Sequence, residues 1–218
     1  MATLLKVDFH CHTVYSPDSL TSVERLIAAA RAHGLDRIVV TDHNRLAGAL
    51  EAQAAAPELV IAGEEVQTTQ GEFLAAFVAR EVPKGLEPLD ALKRLRDQGA
   101  FISVSHPFDP QRSGWPLESL RMLAPLVDAI EVFNARVLTA QCNEQAQQFA
   151  REYQLPGTAG SDGHHPSELG RAYSLVSEFS NAEELRQAIR QAGVGGRLSS
   201  PLVHFYSSWA RFAKGGRK

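Results

Sequence analysis

Seven short apolar or β-branched runs recur along the chain with helical patterns between most of them, and that rhythm restricts the fold more than any other feature of the sequence. The runs are Leu4 to Phe9, Arg37 to Thr41, Leu59 to Val66, Phe73 to Ala79, Ala100 to Val104, Ala129 to Phe133 and Gly157 to Ala159. Helical periodicity fills Ser22 to His33, Arg45 to Ala55, Glu87 to Gln98, Leu117 to Ala124 and Leu138 to Tyr153. The first helix is the best punctuated, with Thr21 or Ser22 placed to cap it and Gly34 just past its end. Strands alternating with helices make βαβ units, because a parallel neighbour is reached only through a crossover. Seven strands in 218 residues predict an α/β barrel one unit short of eight. The rival is an open doubly wound sheet. Against it, no G-x-G-x-x-G follows the first strand and no G-x-x-x-x-G-K-[ST] occurs anywhere.

Composition narrows the class. Apolar residues are 44% and charged residues 22% of the chain, the balance of one globular domain with a sizeable core. No run approaches the ~20 apolar residues of a bilayer helix, and Lys6 and Asp8 interrupt the N-terminus, so neither membrane span nor secretory leader is expected. A net charge of -3 gives no global attraction to nucleic acid. Cys11 and Cys142 form no C-x-x-C pattern or disulfide framework, which makes a reducing cytoplasm the default.

Histidine and acid residues gather at the C-terminal ends of the predicted strands. The first ends in Asp8-Phe9-His10-Cys11-His12, the second in Thr41-Asp42-His43, the third in Gly63-Glu64-Glu65, the fifth in Ser105-His106-Pro107 and the seventh in Gly160-Ser161-Asp162-Gly163-His164. In a parallel barrel these ends converge on one face, where barrel enzymes keep their active sites. Side chains two apart on a strand share a face with Cα atoms about 6.5 Å apart, so His10 and His12 can reach one ion while Cys11 points away. Asp162 and His164 repeat the spacing, and Glu65 and His106 add to a mixed imidazole and carboxylate set that suits Zn, Mn or Fe better than Ca.

These pieces, in order D-F-H-C-H-T with S-P-D, T-D-H, G-E-E, S-H-P, E-V-F-N and G-S-D-G-H, resemble the PHP (polymerase and histidinol phosphatase) superfamily of metal-dependent phosphoesterases. The resemblance runs from Asp8 to about Leu198. It implies a distorted seven-stranded (β/α) barrel whose site lies at the C-terminal strand ends and holds two to three divalent ions. Position by position it implies His10, His12, Glu65 and Asp162 for the first ion, Glu65 and His106 for the second, and Asp18, His43 and His164 for the third. Glu72 stands where many members have a further histidine, and Glu64 is a neighbour without a ligand role. Asp8 and Asp42 are placed to accept the spare imidazole N–H of a ligand histidine. Asn134 ends the sixth strand on the same face; Arg136, Arg112 and Arg45 are candidate phosphate clamps, and His165 a candidate proton donor.

The implied chemistry is hydrolysis of a phosphate ester by a metal-bridging hydroxide, with Glu65, Asp162, His165 and Arg136 as the catalytic set. Only 40 residues separate Glu65 from His106, which leaves no room for a substrate-capping insertion and predicts a fairly open mouth. A small phosphomonoester, a nucleotide or a short oligonucleotide end would fit there. Two other readings stay open. An amidohydrolase acting on C–N bonds also begins with H-x-H, but it would want a strand-end lysine. A non-catalytic metal-binding module would serve a partner. The chain divides at about residue 200, and the segment 201–218, with Phe205, Tyr206, Trp209 and Phe212 among Arg211, Lys214, Arg217 and Lys218, is expected to dock on the protein's own surface or on a twin subunit. Monomer and homo-oligomer are equally open, and the last residues, 215–218, should be mobile.

Overall fold

The computed structural model describes residues 4–112 and 114–215; of the predicted mobile end, residues 216–218 lie outside the described residues. Among the described residues nine strands form one sheet in the order β7-β6-β5-β4-β3-β2-β1-β8-β9. Six run parallel: β1 (Leu4–Cys11), β2 (Arg37–Val40), β3 (Val60–Gln67), β5 (Phe101–Val104), β6 (Ala129–Asn134) and β7 (Gly157–Gly160). Past the end of β7 the sheet closes on β1, where the Asp162 amide donates to the His10 carbonyl at 2.7 Å and the His12 amide to that of Gly163 at 2.9 Å. Strands β1 to β7 therefore make the predicted seven-stranded barrel.

Two features differ from the sequence expectation. Strand β4 (Glu72–Ala76) is antiparallel to both β3 and β5. Residues 68–71 between β3 and β4 are too few for a crossover, and Thr68 closes them as a tight turn by bonding the Gly71 carbonyl through both its amide and its hydroxyl. The other two strands lie beyond the seven. Strand β8 (Ala172–Ser177) pairs antiparallel with the outer edge of β1, and β9 (Gly193–Gly196) pairs with β8.

Five helices lie along the chain at or near their predicted positions: α1 (Val23–Ala32), α2 (Ala47–Ala55), α3 (Pro88–Arg96), α4 (Leu117–Leu123) and α5 (Ala140–Tyr153). Ser22 caps α1 by accepting the Arg25 amide. A helix not foreseen, α6 (Ala182–Ala188), is capped by Asn181. The last, α7 (Val203–Gly215), occupies the aromatic and basic segment. No helix among the described residues is long and apolar enough to cross a membrane.

The core has two layers. Leu26, Ile38, Val40, Val60, Ala62, Leu95, Ile102, Leu120 and Ile130 pack helices against the outside of the barrel. Val7, Phe9, Val39, Ile61, Phe101 and Ala129 form a second cluster with Val176, Phe179, Leu185 and Ile189 of the β8 and α6 region. Arg186 of α6 ties this floor to the strand starts through the Ala100 carbonyl at 2.6 Å and Asp128 at 3.2 Å. With one end plugged by apolar side chains, polar groups are left to the other.

On β1 the change from apolar floor to polar rim is made by a bulge. Asp8 pairs with Ile38 and Cys11 with Val40, so three steps on β1 match two on β2. Val7 and Phe9 belong to the floor, whereas beyond the bulge Cys11 joins the outer layer and His10 and His12 turn to the rim. Gly160 of β7 faces the same place: a Cβ there would collide with the His10 backbone N, its Cβ and Glu131 Oε1. Gly160→Ala is expected to destabilise the fold by about 1–3 kcal/mol through overpacking, measured by urea unfolding, and to disturb the rim more than the floor.

Candidate metal centre

The two oxygens of Glu65 are the meeting point of four imidazoles. Oε2 lies 2.8 Å from His43 Nδ1, 3.2 Å from His10 Nε2 and 3.6 Å from His12 Nε2, while Oε1 lies 3.0 Å from His106 Nε2. Asp162 Oδ1 stands 3.3 Å from His12 Nε2 and 3.7 Å from His10 Nε2. Asp18 Oδ1 stands 3.2 Å from His164 Nε2 and 3.6 Å from His43 Nε2. Glu72, the first residue of reversed β4, reaches His106 Nε2 at 3.4 Å. Reversal brings the start of β4 to the rim where the parallel strands end, and thereby supplies a carboxylate from the opposite chain direction. The sequence-predicted ligands thus come together at one end of the barrel, and all but His43 and Glu72 are buried.

Three histidines have their Nδ1 engaged from behind. His10 Nδ1 pairs with Glu131 Oε1 at 3.0 Å, His12 Nδ1 with Ser16 Oγ at 3.0 Å and His164 Nδ1 with the Asp162 carbonyl at 2.7 Å. Donation to these acceptors fixes the tautomer that leaves Nε2 as a lone pair facing the centre, as a metal ligand requires. Ser16 in turn donates to Asp42 at 2.7 Å and accepts the His43 amide at 3.1 Å.

Asp8 and Asp42 do not touch an imidazole, contrary to the sequence expectation. Asp8 accepts backbone amides of His10, Ser161 and Gly170 at 3.2, 2.9 and 3.0 Å, so it ties the end of β1 to the loop after β7. Asp42 holds the Thr13 amide at 2.7 Å and reaches His12 only through Ser16. The carboxylate that does orient a ligand imidazole is Glu131, which also receives the His106 amide at 2.8 Å and the Asn134 side-chain amide at 3.1 Å. Its signal in the sequence was a single acid inside the β-branched run of the sixth strand. His106 and Asp162 have φ of 21° and 52°. Such left-handed backbone is costly for a non-glycine residue and is held here by these surrounding bonds.

The electrostatics favour cations. Burial opposes charge on His10, but Glu65 and Glu131 outweigh it and raise its pKa to about 10; Glu65 and Asp18 likewise overcome burial and bring His43 to about 10. Burial, joined by repulsion from His164, His43 and His10, holds His12 well below the usual imidazole range. Burial takes His164 down to about 3 against the pull of Asp18. Glu65 and Asp18 stay ionised against burial because imidazoles surround them, whereas burial and the Glu65 charge push Glu72 upward.

Close as they lie to one another, four buried atoms of this cluster, His10 Nε2, His12 Nε2, Asp18 Oδ1 and Glu65 Oε2, meet no partner in hydrogen-bonding geometry among the described residues. Leaving one such atom unsatisfied costs about 1–3 kcal/mol. That four share one centre is what a cation-binding site demands, and three groupings have their ligand atoms within 4.8 Å of one another: His10, His12 and Asp162; His12, His43 and His164; His43, Glu65 and Glu72. The donor set fits divalent Zn, Mn or Fe.

Above the cluster opens a cavity of about 310 Å³. Asp18, His43, Glu72, His106, Asp162 and His164 form its base, and Arg112, Arg136, Arg211 and His204 stand around it. Helix α7 contributes His204, Ser207, Ser208 and Arg211 as one wall, so the mouth is narrower than the short spacing between Glu65 and His106 suggested. Arg112 pairs with Asp162 Oδ2. Arg136 is buried and bound to Glu168 at 3.1 Å and Ser207 at 2.8 Å, which makes it a strut between the loop after β7 and α7. His165 does not line this cavity; its ring stacks on Tyr206 at 5.0 Å and its Nδ1 meets Ser167. Arg45 lines a neighbouring groove instead. Glu64 turns away from the centre to accept the Val82 amide at 3.0 Å.

Comparison with known proteins bears on the family and the fold. A PHP domain model matches residues 8–81 and a PHP-associated model residues 141–194. The uncharacterized protein MJ0417 of Methanocaldococcus jannaschii is 33% identical over 179 residues, spanning 80% of this chain and 72% of that protein. Among solved structures, a two-domain protein of Bacteroides vulgatus, described as containing a predicted PHP-like metal-dependent phosphoesterase, superposes with a TM-score of 0.75 at 24% identity over 90% of this chain. The chain spans only 66% of that protein's length. PsfC of Pseudomonas syringae superposes with a TM-score of 0.73 at 18% identity, over 97% of this chain and 99% of its own.

Two outcomes test the electrostatic account. Glu131→Gln removes the charge that orients His10 and should weaken Mn or Zn binding about 10–100-fold, read by chelator competition. Burial raises the Glu64 pKa from 4.5 to about 8 despite its bond to Val82. The folded state therefore binds that proton more tightly than the unfolded state, so the stabilisation is complete below 4.5 and lost as pH rises through 8. In Glu64→Gln the decline of Tm across that window should be shallower.

Proposed function

The chain belongs to the PHP superfamily, and from that premise we propose that it hydrolyses a phosphate ester with two to three divalent ions held at the rim of its barrel. The observation that carries this reading is the convergence of four unpartnered buried ligand atoms beneath a cavity walled by arginines. We assign His10, His12, Glu65 and Asp162 to the first ion, Glu65, His106 and Glu72 to the second, and Asp18, His43 and His164 to the third.

Bound divalent ions supply Lewis acidity, lowering the pKa of the water they hold and neutralising the phosphoryl oxygens. The chain's own groups do the positioning. Glu65 offers one oxygen to each of two neighbouring sets, which keeps those sets a carboxylate's width apart. Asn134 donates to Asp162 Oδ2 at 3.0 Å and holds that carboxylate toward His10 and His12. Arg112 provides a cation beside the phosphoryl position. Arg136, with its two terminal nitrogens tied to Glu168 and Ser207, acts here as a support for the wall rather than as a free clamp, and only its buried Nε lacks a partner among the described residues. His204 stands at the cavity where His165 does not, so the leaving oxygen has an imidazole near it from α7.

A cavity of about 310 Å³ favours a small phosphomonoester or a nucleotide, with an oligonucleotide admitted only by its end. No lysine lines it among the described residues, which removes support from an amidohydrolase reading. Residues 1–200 form the unit that holds the metal ions in this proposal and 201–218 an appended segment whose helix walls the cavity, acting in the cytoplasm where Cys11 and Cys142 remain free thiols.

Purified protein reconstituted with Mn should carry two to three equivalents of metal and hydrolyse a generic phosphomonoester. His10→Ala and Asp162→Ala should each lower kcat by more than about 100-fold, with metal content from plasma mass spectrometry falling in parallel. Full metal loading without turnover on a broad panel of phosphate esters would favour a binding module over an enzyme.

A further inference from the structure

Helix α7 follows the last residue matched by either family model, position 194, yet it is built into the site. It buries little of itself: Ser207 and Ala210 are covered, while Phe205, Trp209 and Phe212 face outward. What seats it is polar and lies on one helical face. Ser207 receives Arg136 Nη2 at 2.8 Å near its start. One turn on, Arg211 Nη2 meets Asp18 Oδ2 at 2.7 Å. A further turn on, the Lys214 ammonium donates to the Val14 carbonyl at 2.6 Å and to that of Ser16, in the loop that carries Asp18. The spacing of four and three is the helical repeat that puts all three side chains toward the rim.

Arg211 stands apart from the two ties around it. Its side chain is 65% exposed, so the fixed part is the guanidinium head. Asp18 divides its oxygens, Oδ1 toward His43 and His164 and Oδ2 toward Arg211. The guanidinium therefore lies one carboxylate away from the third candidate ligand set. Its Nε and Nη1 donors have no partner among the described residues, and the residue lines the cavity. Arg112 sits likewise on Asp162, so two arginine heads rest on two rim carboxylates with the cavity between them. Arg136 has both terminal nitrogens on Glu168, Ser207 and the Asp162 carbonyl, so the fork it would present to an anion is already occupied and only its buried Nε lacks a partner among the described residues.

We propose that Arg211 is a substrate-binding residue: α7 delivers its donor fork to the phosphoryl oxygens opposite Arg112, and the C-terminal helix is thereby part of the site. The planar guanidinium matches a tetrahedral oxyanion through paired N–H groups. Because it bonds only one oxygen of Asp18, it can keep that tie and still present free donors to an anion. The inference rests on the phosphoesterase reading and adds to it a residue that acts on substrate rather than on metal.

The test uses the full chain loaded with Mn, inorganic phosphate as the probe, and a generic phosphomonoester as substrate. Wild type should bind phosphate by calorimetry and be inhibited by it competitively. Arg211→Ala should lose about tenfold or more in phosphate affinity and raise KM similarly. Its kcat should fall far less, and its metal content by mass spectrometry should match wild type. Arg211→Lys, which keeps the charge but not the fork, should recover part of the phosphate affinity. Unchanged phosphate affinity in Arg211→Ala overturns the proposal. So does a variant whose only defect is lost metal, since Arg211 would then serve Asp18 alone. Wild type that holds Mn but neither binds phosphate nor turns over any ester overturns the phosphoesterase reading together with this one, which separates the two failures.

Discussion

Glu65 stands with four imidazoles around its two oxygens in a place that water scarcely reaches. A buried carboxylate of that kind is stable only in the company of positive charge. The acids draw His10 and His43 toward the protonated form, and a divalent ion taking the imidazole lone pairs would answer the same field in place of those protons. Burial works the other way at His12 and His164, depressing both, and at His12 repulsion from the neighbouring imidazoles adds to it. Much of what surrounds the centre answers that conflict: Glu131 behind His10, Ser16 and Asp42 behind His12, and a backbone carbonyl behind His164. The strand ends are fastened to one another by acids that accept backbone amides, Asp8 across the β1 and β7 seam and Asp42 across β1 and β2. Polar cross-links of this type replace the apolar packing that the rim gives up.

The barrel is correspondingly divided along its axis. Phe9, Val39, Ile61 and Phe101 fill one end with α6 beneath them, while the other end carries the candidate ligands. Stability and chemistry draw on different side chains of the same strands, and on β1 the boundary between them is a single bulge.

The histidines and acids that gather at the rim were legible as candidates because strand ends and two-residue spacing are local patterns, and the ordered motifs added Asp18 and Glu72, which no spacing argument supplied. The parallel barrel was legible from the alternation of periods. The reversal of β4 was present in the sequence as a gap too short for a crossover, and the strand count alone concealed it. Strand β9, Gly193–Gly196, has almost no side chains to alternate, and helix α6 spans only seven residues; neither carries enough pattern to stand out. Glu131 stood in the sequence at the head of the E-V-F-N piece, but its role was hidden because one acid in an apolar run is ambiguous between an edge position and a buried partner. Arg211 was farther out of reach. It meets Asp18 from 193 positions away, and nothing local distinguishes it from the other basic residues of the C-terminal segment.

The tight turn at residues 68–71 has a consequence for how this centre could change. Every other candidate carboxylate is placed by where a parallel strand stops or by the loop that follows, but Glu72 is placed by how many residues the chain takes to turn around. Pairing of Gln67 with Glu72 fixes which face of β4 the acid occupies, and side chains alternate faces at each residue. One residue gained or lost in that turn would carry Glu72 to the far side of the sheet and present its neighbour in its place. At this corner the metal chemistry is written in a length, and a family of such proteins could move between ligand sets by insertion and deletion while every ligand-bearing motif stayed intact.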